Sequence, residues 1–137
     1  MATASTEYVG DLRTACSHES SGTEIFTDAP VDNKGKGSSF SPTDLFVTSY
    51  AACMTTIMGI YCQEHNIVLN HCTSKVKKVM YTEPRRVGEI HIEIDLSGNN
   101  FERATLNKII RAAKSCPMAF SIHPDIKVEI NYITDEI

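Results

Sequence analysis

The chain has 137 residues, a length that fits one domain. Hydrophobic residues make up 42% and charged residues 22%, which is ordinary globular usage and enough apolar material for a core without disulfides. The formal net charge of −4 gives no electrostatic reason to approach nucleic acid or an anionic membrane, so both classes of partner are excluded.

The N-terminal residues and the cysteines together predict a cytoplasmic location. Residues 1–6 carry neither a basic nor an apolar segment, so no secretory signal is expected. We also expect no apolar run of membrane-spanning length. In a reducing compartment, five cysteines are expected to be free or catalytic thiols, and their odd number leaves at least one unpaired.

Short strands and a loop are predicted for the N-terminal part of the chain. Residues 5–14 are interpreted as a first strand and residues 25–27 as a second. Turn-forming residues are concentrated in 28–39, which predicts a long surface loop.

A long helix is predicted to begin at Ser41. Ser41 can cap it, Pro42 suits the first helical position, and Asp44 lies in the first turn, where the helix dipole favours an anion. From Leu45 to about Glu64, apolar or small residues occur all round the helix. This pattern predicts a helix that is buried on most of its sides.

Strands and helices alternate in the rest of the chain. The predicted elements are a strand over 67–81, a strand over 90–96, a helix over 101–115, a short helix over 118–122 and a strand over 126–132. The strict alternation from Ile90 to Leu96 is typical of a half-buried strand. The whole order predicts a single α+β domain over residues 1–137.

Two of the five cysteines occupy positions that favour chemistry. Cys53 lies near the middle of the long helix, and Cys116 stands before Pro117, where a new short helix is predicted. Unpaired N–H groups at a helix N-terminus favour a thiolate, which would apply to Cys116. Composition alone fits both thiols equally well as small core hydrophobes.

Each of these cysteines lies in a recognisable motif. Ser41–Leu45 followed by Tyr50–Met54 surrounds the first cysteine, and Lys114–Met118 surrounds the second. The pair resembles the motifs of the OsmC/Ohr family, the osmotically inducible and organic hydroperoxide resistance proteins, and the resemblance covers nearly the whole chain. It implies an OsmC-like fold, with antiparallel strands packed around a long buried central helix, and an intertwined homodimer.

The resemblance also implies a function, that of a thiol-dependent peroxidase for organic hydroperoxides that needs no cofactor or metal. Cys53 would be the thiolate that becomes a sulfenic acid. Cys116 would resolve it by forming a disulfide, which an external dithiol then reopens. Arg13 is the candidate cation beside Cys53, with Arg85 and Arg86 as alternatives.

Apolar side chains around Cys53 are expected to favour an alkyl hydroperoxide over hydrogen peroxide. These substrate-binding candidates are Phe46, Tyr50, Met54 and Ile57. One position departs from the family: Thr43 stands where its peroxidases carry a glutamate, and Asp44 is a possible substitute carboxylate. The alternative function is therefore a non-enzymatic redox sensor or small-hydrophobe binding protein, and a third is an interaction protein with inert thiols.

Two other groups of residues invite a chemical interpretation. Cys62, His65, His71 and Cys72 cluster around the end of the long helix, but their spacing matches no common zinc motif. Cys16 and His18 share a strand face as a possible nucleophile and base, without an evident third orienting group. Core or interface thiols with solvated histidines are the preferred interpretation of the first group, and a surface strand end is the preferred interpretation of the second.

Overall fold

The computed structural model describes residues 1–135. The chain divides into two compact units, Met1–Phe46 and Val47–Ile137. The two units hold α-helices and two three-stranded sheets, so the predicted α+β class is confirmed. The expectation of a single domain over 1–137 stays a prediction.

The first unit contains an antiparallel sheet in the order β1-β2-β3. Its strands are β1 (Ala4–Gly10), β2 (Arg13–His18) and β3 (Glu24–Asp28). The single strand predicted over 5–14 is wrong, because the chain reverses at Asp11 and Leu12, whose φ angles are +55° and +63°. Two positive φ angles in a two-residue loop match the twist of the flanking strands.

A loop follows β3, as the turn-forming residues predicted. It includes a short 3-10 turn at Val31–Asn33. Gly35 is required for close backbone packing here, because a Cβ atom at this position would lie 1.8 Å from the carbonyl oxygen of Ala29. The loop ends at Ser41, immediately before the long helix.

The long helix α1 (Pro42–Glu64) begins where the sequence predicted. Its buried residues all lie on one face: Val47, Tyr50, Ala51, Met54, Met58 and Cys62. The opposite side is open, with Ile60 45% exposed. The prediction that α1 is buried on most sides is therefore wrong for the single chain, because one face alone is covered.

Helix α1 also corrects the expectation about membrane-spanning runs. Among residues 1–135 it is the one helix long and apolar enough, by length and composition alone, to cross a membrane. The core helix of a water-soluble protein passes the same test, so this is weak support for a membrane span.

The second unit contains a sheet in the order β4-β5-β6 with two further helices. The strands are β4 (Thr73–Tyr81), β5 (Arg86–Asp95) and β6 (Lys127–Ile133), and the helices are α2 (Arg103–Ala113) and α3 (Pro117–Ser121). β4 and β5 are antiparallel, but β5 and β6 are parallel, which the expected antiparallel arrangement missed. The α2–α3 segment provides the long crossover that a parallel pair requires.

The core of the second unit is built on β5 and α2. Ile90, Ile92 and Ile94 alternate along β5 and are each at most 1% exposed, which confirms the half-buried strand. On α2, Leu106 and Ile109 are buried at helical spacing. These buried side chains anchor the segment that carries Cys116.

Candidate functional site

A capping box fixes the start of α1. The backbone N–H of Asp44 donates to the Ser41 hydroxyl at 3.0 Å, and the Ser41 N–H donates to the Asp44 carboxylate at 2.9 Å. This reciprocal pair satisfies two backbone donors that a helix start otherwise leaves open. Thr43 Oγ1 lies 3.3 Å from Ser41 Oγ. One oxygen of Asp44 thus serves the cap, and its substitution for the family glutamate stays a prediction.

Cys53 is placed by α1 at the border of the buried face. Its side chain is half-buried, and its neighbours on the helix are the buried Met54 and, one turn later, the half-buried Ile57. Tyr50, three residues earlier, is 5% exposed. Residues three apart on a helix are neighbours, and each side chain leans toward the preceding turn, so the Cys53 sulfur lies on the Tyr50 side.

Cys116 is fully buried between α2 and α3. Its N–H donates to the Ala113 carbonyl at 3.3 Å, and its carbonyl accepts the Ala119 N–H at 3.0 Å. Pro117 is the first residue of α3, where a missing N–H costs nothing. Both neighbouring helices therefore hold the turn that carries this sulfur.

The Cys53 and Cys116 side chains lie near enough to interact electrostatically, although 62 residues separate them in the sequence. Both are free thiols in the structure. Burial raises the pKa of Cys116, and the contact with Cys53 raises it further, while the amides of Ala119 and Met118 pull it down. Cys116 therefore keeps its proton and can donate its S–H to the Cys53 sulfur.

The direction of this shift corrects the expectation for Cys116. The N–H groups of α3 do favour its thiolate, as the sequence suggested, but burial outweighs them. The pKa of Cys116 is therefore raised, and the helix start does not make it a thiolate at neutral pH.

Two tyrosines complete the surroundings of the thiol pair. Burial raises the pKa of Tyr50, and negative charge on Cys116 or Cys53 would raise it further. Burial likewise raises the pKa of Tyr132 on β6, with Tyr50 and Cys116 as the next contributors. From the sequence, Tyr132 is predicted only as the last residue of a strand. Its place in the alternating pattern gave the signal that its side chain faces inward.

Arg13, the predicted cation, lies in the first unit on β2, opposite Asp28 of β3. Its guanidinium carbon is 5.7 Å from the centroid of the Phe26 ring. Hydrogen bonds from Ser38 lower the pKa of Asp28, and the charge of Arg13 lowers it as well. Among the described residues, Arg13 Nε is buried without a hydrogen-bond partner. Its pairing with Cys53 stays a prediction.

The alternative cation Arg86 is held at the turn between β4 and β5. Its Nη1 donates to the carbonyls of Thr82 at 3.0 Å and Pro84 at 2.9 Å. Its guanidinium also lies 5.4 Å from the Tyr81 ring. These contacts account for Arg86 without the thiol pair, whereas Arg85 is an exposed neighbour at the same turn.

The predicted substrate-binding residues have different surroundings. Met54 is 1% exposed and belongs to the core of the second unit. Ile57 is half-buried, as is Phe46, which is the last residue of the first unit. Tyr50 is the member that lies beside both thiols. Substrate binding by all four stays a prediction.

The remaining cysteines and histidines form no candidate metal centre. Within residues 1–135, no three His, Cys, Asp or Glu side chains are grouped closely enough to hold a metal ion. His65 stacks on Tyr61, with ring centroids 4.0 Å apart, and His71 contacts the Ser97 carbonyl at 2.8 Å. Burial raises the pKa of Cys62 and of Cys72.

Cys16 and His18 have separate partners in the first unit. The sulfur of Cys16 lies 3.6 Å from the Thr14 hydroxyl. Nδ1 of His18 lies 2.6 Å from the Ser21 hydroxyl, in the turn that follows β2. The contacts of each residue are local ones at a strand end.

Comparison with known proteins agrees with the two cysteine motifs. The model of the OsmC-like protein family matches residues 35–131. A crystal structure from Psychrobacter arcticus 273-4, of a protein named for osmotic stress induction and a detoxification response, is 47% identical, covers 96% of each chain and has a TM-score of 0.91. No protein of curated function matches the sequence.

More distant structures share the fold. An organic hydroperoxide resistance protein OsmC from Legionella pneumophila is 15% identical over 95% of this chain and 94% of its own, with a TM-score of 0.71. The organic hydroperoxide resistance protein OhrB of Bacillus subtilis is 15% identical over 96% and 97%, with a TM-score of 0.66. At this level of identity the likeness concerns the fold alone.

Proposed function

The chain belongs to the OsmC-like protein family, and on that premise we propose that it reduces organic hydroperoxides with Cys53 as the nucleophile and Cys116 as the resolving thiol. The observation that carries the proposal is that these two thiols lie near enough to affect each other's ionisation, with Cys116 fully buried. Two fold neighbours are named as organic hydroperoxide resistance proteins, which supports the choice of substrate.

The reaction proceeds in three balanced steps. The Cys53 thiolate attacks the distal oxygen of the hydroperoxide, the O–O bond breaks, and the products are a sulfenic acid and an alkoxide that takes up a proton. Cys116 then attacks the sulfenic sulfur, which forms the disulfide and releases water. An external dithiol, itself oxidised to a disulfide, returns both cysteines to thiols. No group beyond the protein, the hydroperoxide and the dithiol takes part.

Proximity explains why Cys116 resolves efficiently. The two thiols are already neighbours before oxidation, so disulfide formation requires no long-range search for a partner. Burial of Cys116 also shields it from the oxidant, because its side chain is fully buried while Cys53 is half-buried. Cys53 is therefore the thiol that the hydroperoxide reaches.

A cation is needed to keep the Cys53 thiolate available, and we propose Arg13 for this role. Its guanidinium is always charged, and its buried Nε atom is without a partner among the described residues. Asp28 lies opposite Arg13 on β3, and the charge of Arg13 lowers the pKa of its carboxyl group. Thr43 leaves the family's glutamate position without a carboxylate, so Asp44 is the proposed substitute.

We further propose that the protein is a cytoplasmic homodimer. One face of α1 is covered within the chain, and only 33% of its most apolar stretch is buried. Ile60 on α1 is 45% exposed, and Phe120 on α3 is 80% exposed. Apolar surface of this kind is typical of an interface, and a second copy of the chain would cover it. Sedimentation as a monomer at micromolar concentration would contradict the dimer.

The function is tested by the consumption of tert-butyl hydroperoxide with dithiothreitol as reductant. We expect Cys53→Ser to reduce turnover to the uncatalysed rate, because the nucleophile is gone. Cys116→Ser should still form a sulfenic acid, which dimedone traps, but should recycle slowly. Cys72→Ser is the matched control, since it removes another partly buried thiol of the same unit.

The outcomes separate the three functional hypotheses. Turnover that survives Cys53→Ser would end the peroxidase proposal. Stoichiometric oxidation of Cys53 without recycling by dithiols would instead favour the redox sensor. Full resistance of Cys53 to the hydroperoxide would leave a binding or interaction protein with inert thiols.

A further inference from the structure

A groove between the end of α1 and the C-terminal half of α2 combines aromatic and cationic side chains. Its volume is about 500 Å³, which lies within the usual range of small-molecule sites. All of its lining residues belong to the second unit: Tyr61, His65, Lys108, Arg111 and Ala112. The proposed thiol chemistry uses none of them, so this α1–α2 groove is open to a separate role.

The aromatic wall of the α1–α2 groove is fixed by contacts within α1 and its end. The rings of Tyr61 and His65 stack, with centroids 4.0 Å apart and an angle of 21° between their planes. Nδ1 of His65 lies 2.9 Å from the Tyr61 carbonyl oxygen. A carbonyl can only accept, so Nδ1 carries a proton and donates it. The two rings are therefore ordered before any ligand arrives, which lowers the entropic cost of binding.

The opposite wall carries two cations. Lys108 and Arg111 are three residues apart on α2 and are neighbours on one side of the helix. Both side chains are exposed, whereas Ile109 between them points into the core. Within residues 1–135 neither cation is paired with a carboxylate, and no acidic side chain lines the α1–α2 groove. An anion that enters the groove would therefore meet positive charge that the described part of the chain does not neutralise.

We propose that the α1–α2 groove binds a small aromatic anion. Its phosphate or carboxylate group lies between Lys108 and Arg111, and its ring packs against the wall of Tyr61 and His65. A guanidinium matches two oxygens of such a group, and the ammonium adds a second charge. A flat ring gains contact area on the aromatic wall that an inorganic anion cannot gain.

The size of the α1–α2 groove favours a small molecule over a polyanion. Two cations match one anionic group, whereas binding of nucleic acid needs positive charge along an extended surface. The formal net charge of −4 would also repel a long polyanion outside the groove. A molecule with one anionic group and one or two rings fits both the charge and the volume.

Calorimetric titration of the whole chain with 1-naphthyl phosphate tests the inference. We expect one site per chain, and we expect 1-naphthol and inorganic phosphate, the two halves of this probe, to bind at least about 10-fold more weakly. Lys108→Ala and Arg111→Ala should each weaken binding of 1-naphthyl phosphate at least about 10-fold, the usual loss for a hydrogen bond to a charged group. Lys114→Ala is the matched control, because Lys114 is an exposed cation near the same helix end that does not line the groove.

Variants of Tyr61 test the aromatic wall separately. Tyr61→Ala removes the ring and should weaken binding of 1-naphthyl phosphate, but not that of inorganic phosphate. Tyr61→Phe keeps the ring and should bind 1-naphthyl phosphate like the wild type. Thermal unfolding of each variant shows whether the fold is intact, and the exposed positions of Lys108 and Arg111 keep the test valid if Tyr61→Ala unfolds.

Four results would overturn the inference. These are the absence of saturable binding at millimolar 1-naphthyl phosphate, equal weakening by Lys114→Ala, binding of inorganic phosphate as tight as that of 1-naphthyl phosphate, and a changed sedimentation coefficient in Lys108→Ala and Arg111→Ala. The last result would assign the two cations to a contact between copies of the chain. Hydroperoxide turnover and its loss in Cys53→Ser are measured independently, so the peroxidase proposal and this inference can fail separately.

Discussion

Disulfide formation between Cys53 and Cys116 should depend steeply on pH, because Cys116 rarely ionises. Burial raises its pKa above the ordinary value of 9.0. At pH 7 fewer than about 1% of Cys116 side chains are then thiolates, the form that attacks the sulfenic acid. Since the thiolate fraction grows tenfold per pH unit below the pKa, a change from pH 6 to pH 8 should accelerate the step about 100-fold.

Oxidation of Cys53 changes its effect on the pKa of Cys116, but it leaves the effect of burial in place. A neutral sulfenic acid no longer carries the charge with which a Cys53 thiolate opposes ionisation of Cys116. Burial, the largest cause, persists, and the amides of Ala119 and Met118 continue to oppose it. The pKa of Cys116 is therefore still raised after Cys53 is oxidised in the proposed reaction, although by less than before.

The measurement is a single turnover with one equivalent of tert-butyl hydroperoxide, quenched at successive times. Mass spectrometry then separates the sulfenic acid, trapped with dimedone, from the Cys53–Cys116 disulfide. Cys72→Ser serves as control, because it should show the same pH profile. A rate of disulfide formation that stays flat from pH 6 to pH 8 would show that Cys116 ionises far below this range, and the burial argument would fail.

Three further predictions concern stability. Gly88→Ala should cost about 1–3 kcal/mol in urea unfolding, because its Cβ would lie 2.2 Å from Cγ of the Tyr81 ring; this cost should vanish in a Tyr81→Ala background. Ser41→Ala should lower the free energy of unfolding by about 1 kcal/mol through loss of the cap, and an unchanged urea midpoint would contradict this. Hydrogen bonds from the Gly98 and Asn100 amides lower the pKa of Asp135, so its carboxylate stabilises the fold above about pH 4 and this contribution is lost as pH falls through the folded-state pKa. Asp135→Asn should therefore flatten the acid part of the stability profile, and an unaltered profile would argue against the assignment.

Local chemistry explains the features that could be predicted from sequence. The start of α1 depends on Ser41, Pro42 and Asp44, whose interactions lie within one helical turn. The inward face of β5 follows from period-two alternation, since Ile90 and Ile92 point to the same side of the strand and are both buried. Neither feature depends on a distant part of the chain.

Features that depend on pairing between strands could not be predicted in the same way. The hairpin between β1 and β2 turns at Asp11 and Leu12, and Leu12 is a residue that rarely adopts a positive φ. Gly10 (φ +93°) precedes the two-residue loop and does not occupy it, so the loop lacks the usual Asn-Gly or Asp-Gly pair and the two strands merge into one in the sequence. The parallel pairing of β5 and β6 was missed because alternation along a strand carries no information about its direction.

The same distinction between local and long-range interactions applies to the candidate site. The motifs around Cys53 and Cys116 predict both sulfurs as site residues, but the ionisation of Cys116 depends on burial, which no motif encodes. Helix-end amides alone favour a Cys116 thiolate, and only the folded surroundings reverse that preference. The place of Tyr132 beside Tyr50 likewise requires the partnership of β6 with the rest of the second unit.

In the proposed peroxidase reaction, the unequal exposure of the two sulfurs would set the order in which they react. A hydroperoxide approaching from solvent meets Cys53, which is half-buried, before Cys116, which is fully buried. If the roles were exchanged, the oxidant would have to reach a sulfur that is both inaccessible and protonated, and two barriers would add. In the proposed order, Cys116 reacts only with its neighbour, the oxidised Cys53. Over-oxidation is thereby limited, because the sulfenic acid forms next to the thiol that consumes it.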